Sequence, residues 1–367
     1  MVESGRGIAT SGTTCIRCNS APNRSASAIA YFCASFASDF LSRQAFLGAP
    51  AQCNQSVAEI VFTVPEDGQY ALFARYACPY MHNVAFEVVI QQGAGEGSAI
   101  SDADYEAQGA EILPDADAVF AAADMVVKVK EPQAVEIGRL RPGQTLFTYL
   151  HLAPDPEQTA GLVASGATCI AYETVENAGG RLPLLAPMSE IAGKIATQAG
   201  AFMLEKPLGG RGLLLGGVPG VAAGKVMVIG GGVVGQNAAQ VALGMGAEVY
   251  IYDRNIDRLR ELEHQMNWLA STCFASTLEI EQRLPEVDLV IGAVLVKGGK
   301  APHVITHEQL RLMKRHTVLV DVSIDQGGCF ETSRATTHSD PTYEVDGITH
   351  YCVANMPSAV PITSTWA

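Results

Sequence analysis

Three glycines at a fixed spacing give this sequence its clearest chemical signal. Gly230, Gly232 and Gly235 form the pattern G-x-G-x-x-G. The first glycine permits a tight turn, the second lets the backbone approach a pyrophosphate, and the third lets a helix pack on a strand. A pyrophosphate there would lie at a helix N-terminus, where unpaired N–H groups favour an anion. Asp253 follows at the distance expected of a ribose ligand, so the pattern predicts dinucleotide binding; the alternative is an unrelated glycine-rich turn.

Three further side chains follow predicted strands, where open α/β sheets bind their ligands. They are Lys130 in VKVKEP, His151 in TYLHLA and Asp325 in VDVSIDQGG. A nicotinamide enzyme acting on an oxo or amino acid needs a cation for the substrate carboxylate, an acid–base group, and a carboxylate that supports charge on nitrogen. These three residues supply that set. Each has an alternative role, with Lys130 as a solvated edge charge, His151 as a hydrogen-bonded core residue and Asp325 as a turn former.

The elements that must position these residues alternate between strand and helix along the chain. Alternation of this kind predicts βαβ units on parallel sheets. In the first half we predict strands at 60–64, 86–90, 125–129, 145–150 and 168–173, and helices at 102–108 and 156–164. In the second half we predict a helix at 189–201 capped by Ser189, strands at 226–229, 249–252, 289–294, 317–322 and 350–353, and helices from the glycine turn to Gly246, at 256–269 and at 306–314.

Length and composition predict a globular protein of two domains. The chain has 367 residues, of which 48% are hydrophobic, and single cores stop growing near roughly 250–300 residues. The net charge of −14 argues against nucleic acid or an anionic membrane as a partner. No apolar run approaches the roughly 20 residues that span a bilayer, so we expect no membrane anchor.

The first part of the chain has an unusual composition. Lysine is absent before Lys128, and Cys15 and Cys18 form C-x-x-C without a second pair at metal-ligand spacing. We therefore expect unpaired thiols in a reducing compartment and no metal site. Several arginines precede the apolar segment 26–37, which leaves a targeting role for residues 1–40 open, although no clear cleavage site follows.

Many blocks of this sequence resemble one family, the alanine dehydrogenases, from about Glu87 onward. The matching blocks are QQGAGEGSAISDADYEAQGAEI, MVVKVKEP, LFTYLHLA, IAYETV, LPLLAPMSEIAG, GVPGV, VIGGGVVGQNAA, DLVIGAVLV, VDVSIDQGGCFE and YCVANMP. The resemblance implies an α/β protein with a Rossmann-type, doubly wound NAD domain and an incomplete α/β substrate domain. It divides the chain into an unmatched segment 1–85, a substrate domain 86–185, an NAD domain 186–357 and a short return 358–367.

The resemblance also implies a reaction, the conversion of L-alanine, NAD⁺ and water to pyruvate, ammonium and NADH. By matching motif, His151 is the catalytic acid–base, Lys130 a substrate ligand and Asp325 a second catalytic group. Asp253 favours NAD because a carboxylate accepts from a 2′-hydroxyl and repels a 2′-phosphate, while Arg254 leaves NADP open. The implied cofactor contacts are Ser189, Gly230, Gly232, Val233, Val234, Gly235, Asp253, Arg258, Val294, Leu295, Val322, Ser323, Ile324, Asp325, Arg334, Val353, Ala354, Asn355 and Met356. The family further implies a cytoplasmic homohexamer.

The sequence departs from the family pattern at three places. Nothing before Glu87 reproduces the family's arginine motif for the substrate carboxylate, and Arg75 does not match it, so we expect weak alanine and pyruvate binding. Ala275 aligns where the family often has a serine, with Ser276 adjacent, so one cofactor hydrogen bond is in question. The chain also stops at Ala367, where the family continues into helices. A reading-frame change or gene-model error would explain both ends.

Two other functions remain open on the sequence alone. One is a catalytically impaired NAD-binding or subunit-binding module derived from an alanine dehydrogenase. The other is the nucleotide-binding part of a proton-translocating transhydrogenase, although the LHLA histidine and the VKEP lysine fit alanine dehydrogenase better. We take NAD-dependent oxidative deamination of L-alanine as the leading interpretation.

Overall fold

The computed structural model describes the backbone of residues 14–19 and 85–367 and the side chains of residues 87–367. These residues form two compact units. One runs to Leu185 and also contains Val360–Ala367, and the other spans Ala186–Ala359. Within the described residues, no helix is both long and apolar enough to cross a membrane.

A six-stranded sheet forms the centre of the first unit. Its strands are Thr14–Asn19 (β1), Ala85–Gln91 (β2), Glu111–Leu113 (β3), Met125–Val127 (β4), Thr145–Thr148 (β5) and Thr168–Ala171 (β6), in the spatial order β3-β2-β1-β4-β5-β6. The sequence predicts parallel pairing here, and β2–β3, β4–β5 and β5–β6 are parallel. β1 differs, because it is antiparallel to both β2 and β4.

Helices cover this sheet and bury an apolar core against it. They are Asp102–Ala107 (α1), Ala116–Ala122 (α2), Ala134–Ile137 (α3) and Pro156–Ser165 (α4). Val89, Phe120 and Leu146 are almost fully buried in the core between strands and helices. α4 begins where the Asp155 carboxylate accepts from the backbone N–H of Gln158, with proline at the first helical position, and it ends at a left-handed glycine.

The second unit contains a seven-stranded sheet. Its strands are Lys225–Ile229 (β7), Glu248–Asp253 (β8), Ser271–Phe274 (β9), Leu289–Gly292 (β10), Val318–Asp321 (β11), Thr342–Val345 (β12) and Ile348–Tyr351 (β13), in the order β12-β13-β11-β10-β7-β8-β9. All neighbours are parallel except β12 and β13. The chain proceeds outward from β7 in one direction and from β10 in the other, so the strand order reverses between them. Open α/β sheets bind nucleotides at such a switch point.

The helices of the second unit are Ala186–Met203 (α5), Val233–Gly244 (α6), Ile256–Gln265 (α7) and Thr277–Arg283 (α8). α5 and α6 pack closely at Gly193, where the absence of a side chain makes room: a Cβ atom there would lie 2.3 Å from the Val234 carbonyl oxygen. The Thr197 hydroxyl also donates to the Ala238 carbonyl at 2.8 Å. The last helix, Pro361–Trp366 (α9), belongs to the first unit, where the Thr365 and Ser98 hydroxyls are 2.6 Å apart.

The predicted α/β class and the Rossmann-type sheet are confirmed, and several boundaries were wrong. Ser189 does not cap a helix, because α5 begins three residues earlier at Ala186. The helix predicted at 306–314 is a short 3₁₀ segment, Glu308–Leu312. β5 ends at Thr148 and not at Leu150, and the strand predicted at 60–64 lies outside the described residues.

Candidate active site

Two parallel neighbours, β4 and β5, bring Lys130 and His151 to one edge of the first sheet. Val127 and Phe147 pair in register near the ends of these strands, and Lys130 and His151 each follow their strand by three residues. Both side chains contact the carboxylate of Glu131. His151 Nδ1 lies 2.5 Å from Glu131 Oε1, and Lys130 Nζ lies 3.4 Å from the same oxygen. The predicted cation and the predicted acid–base group are therefore joined by a carboxylate that the sequence had not singled out.

The backbone at His151 adopts a conformation that few non-glycine residues take. Its φ is +44°, in the left-handed region. The buried carboxylate of Glu173, which follows β6, accepts from the backbone N–H of His151 at 2.6 Å and of Leu150 at 3.2 Å. On the other side, Gln158 Nε2 donates to the Leu150 carbonyl at 2.5 Å. These bonds hold the turn in place, and strain held this way is common at functional sites.

An aromatic residue orients the imidazole from one side. The ring of Tyr149 stacks on that of His151 with an interplanar angle of 8° and a centroid distance of 5.8 Å. The Tyr149 hydroxyl donates to the Leu184 carbonyl at 2.5 Å. Burial and the nearby Glu173 carboxylate raise the pKa of Tyr149, so the phenol stays neutral and keeps donating this bond.

The loop after β4 that carries Lys130 and Glu131 is also held by polar contacts. The Thr148 hydroxyl lies within hydrogen-bond distance of the carbonyls of Val129 and Lys130, at 2.9 and 2.8 Å. Lys128 points into the interior, where its ammonium pairs with the Glu136 carboxylate at 2.5 Å. Glu136 Oε2 also accepts from the backbone N–H of Gln133, so it connects Lys128 to the start of α3.

Glu131 is ionised over the whole physiological pH range. Burial disfavours its charge, but the hydrogen bond from His151 and the positive charges of Lys130 and His151 outweigh burial and lower its pKa to about 2. An ionised carboxylate only accepts hydrogen bonds. The Nδ1 atom of His151 is therefore the donor in their contact.

The glycine turn of the second unit has the geometry that its sequence predicts. Gly230 has a φ of +107°, and a Cβ there would lie 2.4 Å from the Ala293 carbonyl oxygen. A Cβ at Gly235 would lie 1.8 Å from the Gly230 carbonyl oxygen. The turn and α6 can therefore pack this closely only with glycine at these two positions. Around Gly232, by contrast, no heavy atom lies within 4 Å of the Cβ position. That open backbone, at the N-terminus of α6, suits the approach of a pyrophosphate.

Asp253 and Arg258 both contact the glycine turn. Asp253 Oδ2 accepts from the Gly231 N–H at 2.7 Å, and Oδ1 accepts from the Asn255 N–H at 2.8 Å. A carboxylate has about four acceptor positions, so capacity for ribose hydroxyls remains. Arg258 Nε donates to the Gly231 carbonyl at 2.7 Å, and another guanidinium nitrogen contacts Gln236 at 2.6 Å. Arg258 thus supports the turn, which is compatible with its predicted cofactor role.

The loop that carries Asp325 is organised around Asp321, a second residue the sequence had not singled out. Asp321 ends β11 and is fully buried, and its carboxylate accepts from the backbone N–H groups of Ser323 and Cys329 and from the Ser333 hydroxyl. Burial raises its pKa, against the lowering effect of these donors. The Ser323 hydroxyl donates to the Val294 carbonyl at 2.8 Å, which joins two predicted cofactor segments.

The remaining predicted cofactor residues lie at various places in the second unit. Ser189 is half-buried in the first turn of α5, and Val233 and Leu295 are exposed. Arg334 lies over the Tyr343 ring, with its Cζ atom 4.0 Å from the centroid. The segment Val353–Met356 follows β13, and within it Asn355 has a φ of +58° and a buried Nδ2 atom without a partner among the described residues. A buried, unpaired donor of this kind fits a ligand acceptor.

Ser276, the neighbour of Ala275, has a role in the local fold. Ser276 caps α8, where its hydroxyl oxygen accepts from the Glu279 N–H at 3.2 Å. Its side chain is therefore already engaged in the helix cap.

Glu131 and Glu173 could have been found in the sequence by one signal. Each follows a strand of the parallel set, as His151 does, and the carboxyl ends of parallel strands lie at the same edge. Glu131 stands beside Lys130 in the VKEP block and Glu173 ends the AYE block. What the sequence does not provide is the register that brings them within bonding distance.

Comparison with known proteins identifies the family of this chain. Residues 74–192 match the family model "Alanine dehydrogenase/PNT, N-terminal domain", and residues 196–367 match "Alanine dehydrogenase/PNT, C-terminal domain". The alanine dehydrogenase of Halomonas elongata is 58% identical over 281 residues, which cover 77% of this chain and 76% of the relative. The alanine dehydrogenase of Bacillus subtilis is 53% identical over 281 residues, 76% of this chain and 74% of the relative.

Two solved structures are also similar. One, an L-alanine dehydrogenase, is 49% identical with a TM-score of 0.69 and covers 76% of each chain. The other, a transhydrogenase from Sinorhizobium meliloti, is 26% identical with a TM-score of 0.61, and the match covers 76% of this chain and 80% of that one. The chain therefore belongs to the alanine dehydrogenase/PNT family.

Proposed function

We propose that this protein catalyses the reversible NAD-dependent oxidative deamination of L-alanine to pyruvate and ammonium. The observation that carries the proposal is the shared carboxylate of Glu131, which places an ammonium group and an imidazole at one edge of the first sheet. Relatives named alanine dehydrogenase, at 50–58% identity, support the same reaction. We assign substrate binding to residues 86–185 and cofactor binding to residues 186–357.

The side chains of the first unit handle the substrate. The Lys130 ammonium binds the substrate carboxylate as a point charge, a role that suits a small anion. His151 exchanges a proton with the water and the carbinolamine hydroxyl that lead to the pyruvate carbonyl. Asp325, in the second unit, is assigned as a second catalytic group, as the family resemblance implies.

The second unit fits NAD through features of its own. The open backbone at Gly232 would accommodate the pyrophosphate, the Asp253 carboxylate would accept from the adenosine ribose, and Asn355 Nδ2 would be available as a donor. When bound, NAD would supply the hydride acceptor for the oxidation of alanine. The proposed contacts are those set out from the sequence.

A direct assay tests the proposal. Purified full-length protein is mixed with L-alanine and NAD⁺, and NADH is followed by absorbance while pyruvate is quantified separately. We expect NADH and pyruvate in equal amounts, and NADH consumption when pyruvate and ammonium are supplied. NADH binding without turnover in either direction would contradict the proposal and would support an impaired binding module.

We further propose a cytoplasmic homo-oligomer, a hexamer as the family resemblance implies. The molar mass in solution, measured by light scattering after gel filtration, tests the assembly. A monomeric mass at micromolar concentration would contradict it.

A further inference from the structure

We propose that Glu131 is a positioning residue for His151, whose Nδ1–H it binds so that Nε2 is the nitrogen that exchanges protons with the substrate. The inference rests on the proposed function for its role in turnover, but its structural part concerns His151 alone. A neutral imidazole carries one proton, and the hydrogen bond at one nitrogen decides which nitrogen is left as a base.

The contact itself determines the tautomer. Glu131 Oε1 and His151 Nδ1 are 2.5 Å apart, and the carboxylate is ionised at neutral pH and can only accept. The proton of neutral His151 must then be on Nδ1, which leaves the lone pair on Nε2. The same ionised carboxylate stabilises the imidazolium once Nε2 takes up a proton, because opposite charges at this distance favour the charged form.

Both partners are held where they meet. The buried Pro132 follows Glu131 and fixes the backbone direction there, and Lys130 Nζ contacts the same carboxylate oxygen. On the other side, His151 is fixed by its backbone bond to Glu173 and by the stacked Tyr149 ring. Neither side chain can leave the contact without breaking other interactions, so the hydrogen bond is preorganised.

Among the described residues, the Glu131 carboxylate in contact with Nδ1 favours the protonated form of His151. Glu131 follows β4, Glu173 follows β6, the Lys130 ammonium contacts the same Glu131 oxygen as His151, and Tyr149 is neutral. Removing the Glu131 charge removes a negative charge that contacts both Lys130 and His151. The variant Glu131→Gln should therefore lower the proton affinity of His151.

Glu131→Gln also changes the hydrogen bond in a defined way. The glutamine amide can donate to Nδ1, which would place the imidazole proton on Nε2 and remove the base from the substrate side. Glu131→Asp keeps the charge on a shorter side chain and serves as the conservative variant. Glu157→Gln removes an exposed carboxylate from α4 and serves as the matched control.

Nitrogen-15 NMR of histidine-labelled full-length protein tests the tautomer independently of turnover, with His151→Asn used to assign the signal among eight histidines. We expect the Nδ1–H tautomer in the unmodified protein and in Glu157→Gln. Glu131→Gln should shift the populations toward Nε2–H. The Nε2–H tautomer in the unmodified protein, or spectra that do not change in Glu131→Gln, would overturn the proposal.

Kinetics provide the second arm. For Glu131→Gln we expect kcat for alanine to fall about 100-fold, with the acid limb of the kcat/KM profile moved to lower pH and the Kd for NADH unchanged. Glu131→Asp should recover part of kcat. An equal loss in Glu131→Asp and Glu131→Gln without any movement of the pH profile would indicate a merely structural role. Absence of turnover in the unmodified protein would reject the proposed function, while the NMR arm would still decide the tautomer.

Discussion

The carboxylate of Asp253 accepts a hydrogen bond from the backbone N–H of Gly231, with 2.7 Å between Asp253 Oδ2 and Gly231 N. The end of β8 is thereby tied to the glycine turn after β7. The Asp253 side chain therefore has two roles: it fixes the glycine turn, and it remains able to accept from a ribose hydroxyl. It couples the shape of the pyrophosphate site to the choice of cofactor.

This coupling predicts the behaviour of Asp253→Asn. The variant loses the charge that repels a 2′-phosphate and weakens a charge-assisted hydrogen bond, so NADH should bind about 10-fold more weakly and NADPH more tightly than before. Fluorescence titration with both cofactors measures the change. Asp257→Asn, an exposed position on α7, is the control, and an unaltered NADH-to-NADPH ratio in Asp253→Asn would remove Asp253 from cofactor selection.

Three glycine substitutions separate folding from binding. Gly232→Ala places its methyl group in open space, so the free energy of unfolding should change by less than about 0.5 kcal/mol. NADH binding should nevertheless weaken, because the methyl group occupies the space proposed for the pyrophosphate. Gly235→Ala collides with the Gly230 carbonyl and should reduce both stability and binding. Gly244→Ala, at the other end of α6, should leave binding intact. Isothermal calorimetry of NADH binding and thermal unfolding are measured for all three variants. Unimpaired NADH binding in Gly232→Ala would argue against a pyrophosphate at this turn.

His151→Ala should abolish alanine turnover with NADH affinity nearly unchanged, because the proposed cofactor residues belong to the second unit. His151→Asn is a useful companion, since asparagine tolerates the left-handed backbone found at this position. Both variants are assayed for NADH formation and for NADH affinity. Full activity in either one would exclude His151 from the mechanism.

The depressed pKa of Glu131 predicts a pH dependence of stability. Its pKa in the folded protein is about 2, below the ordinary value of 4.5, so its ionised form stabilises the fold above pH 4.5 and this contribution is lost as the pH falls toward 2. This pKa shift corresponds to at most about 3 kcal/mol of the free energy of unfolding. Denaturant unfolding of the unmodified protein and of Glu131→Gln should differ most at neutral pH and converge in acid. A difference that stays constant from pH 6 to pH 3 would contradict this linkage.

The cofactor half of the site could be predicted from the sequence because its constraints are local. The three glycines act within six consecutive residues, in which Gly230 and Gly235 have no room for a Cβ atom and Gly232 leaves open space beside the backbone. The alternation of strand and helix around them likewise predicted β7, β8, β10 and β11, whereas β9 was not predicted. The predicted ends of strands were wrong where a side-chain contact or an unusual backbone angle interrupts the strand. β5 is an example: it ends before His151, whose left-handed backbone is held by Glu173.

The substrate half was predicted only in part because its contacts are long-range. Lys130 and His151 were identified by their positions after strands, but their meeting at Glu131 depends on the register of β4 and β5. Asp321, in the second unit, was missed although its donors lie only two to twelve positions further along the chain, because their convergence on one carboxylate depends on the conformation of the loop after β11. β1 was not predicted at all, because the cysteines of TCIRCN were interpreted as thiols and not as part of a strand.

Transfer of deuterium from L-[2-²H]alanine to NAD⁺ is the most direct test of the central claim. We predict that the full-length protein forms singly deuterated NADH together with pyruvate, and that His151→Ala forms neither. Mass spectrometry of the reduced cofactor measures the label. Undeuterated NADH, or no NADH from a protein that binds the cofactor, would contradict the account.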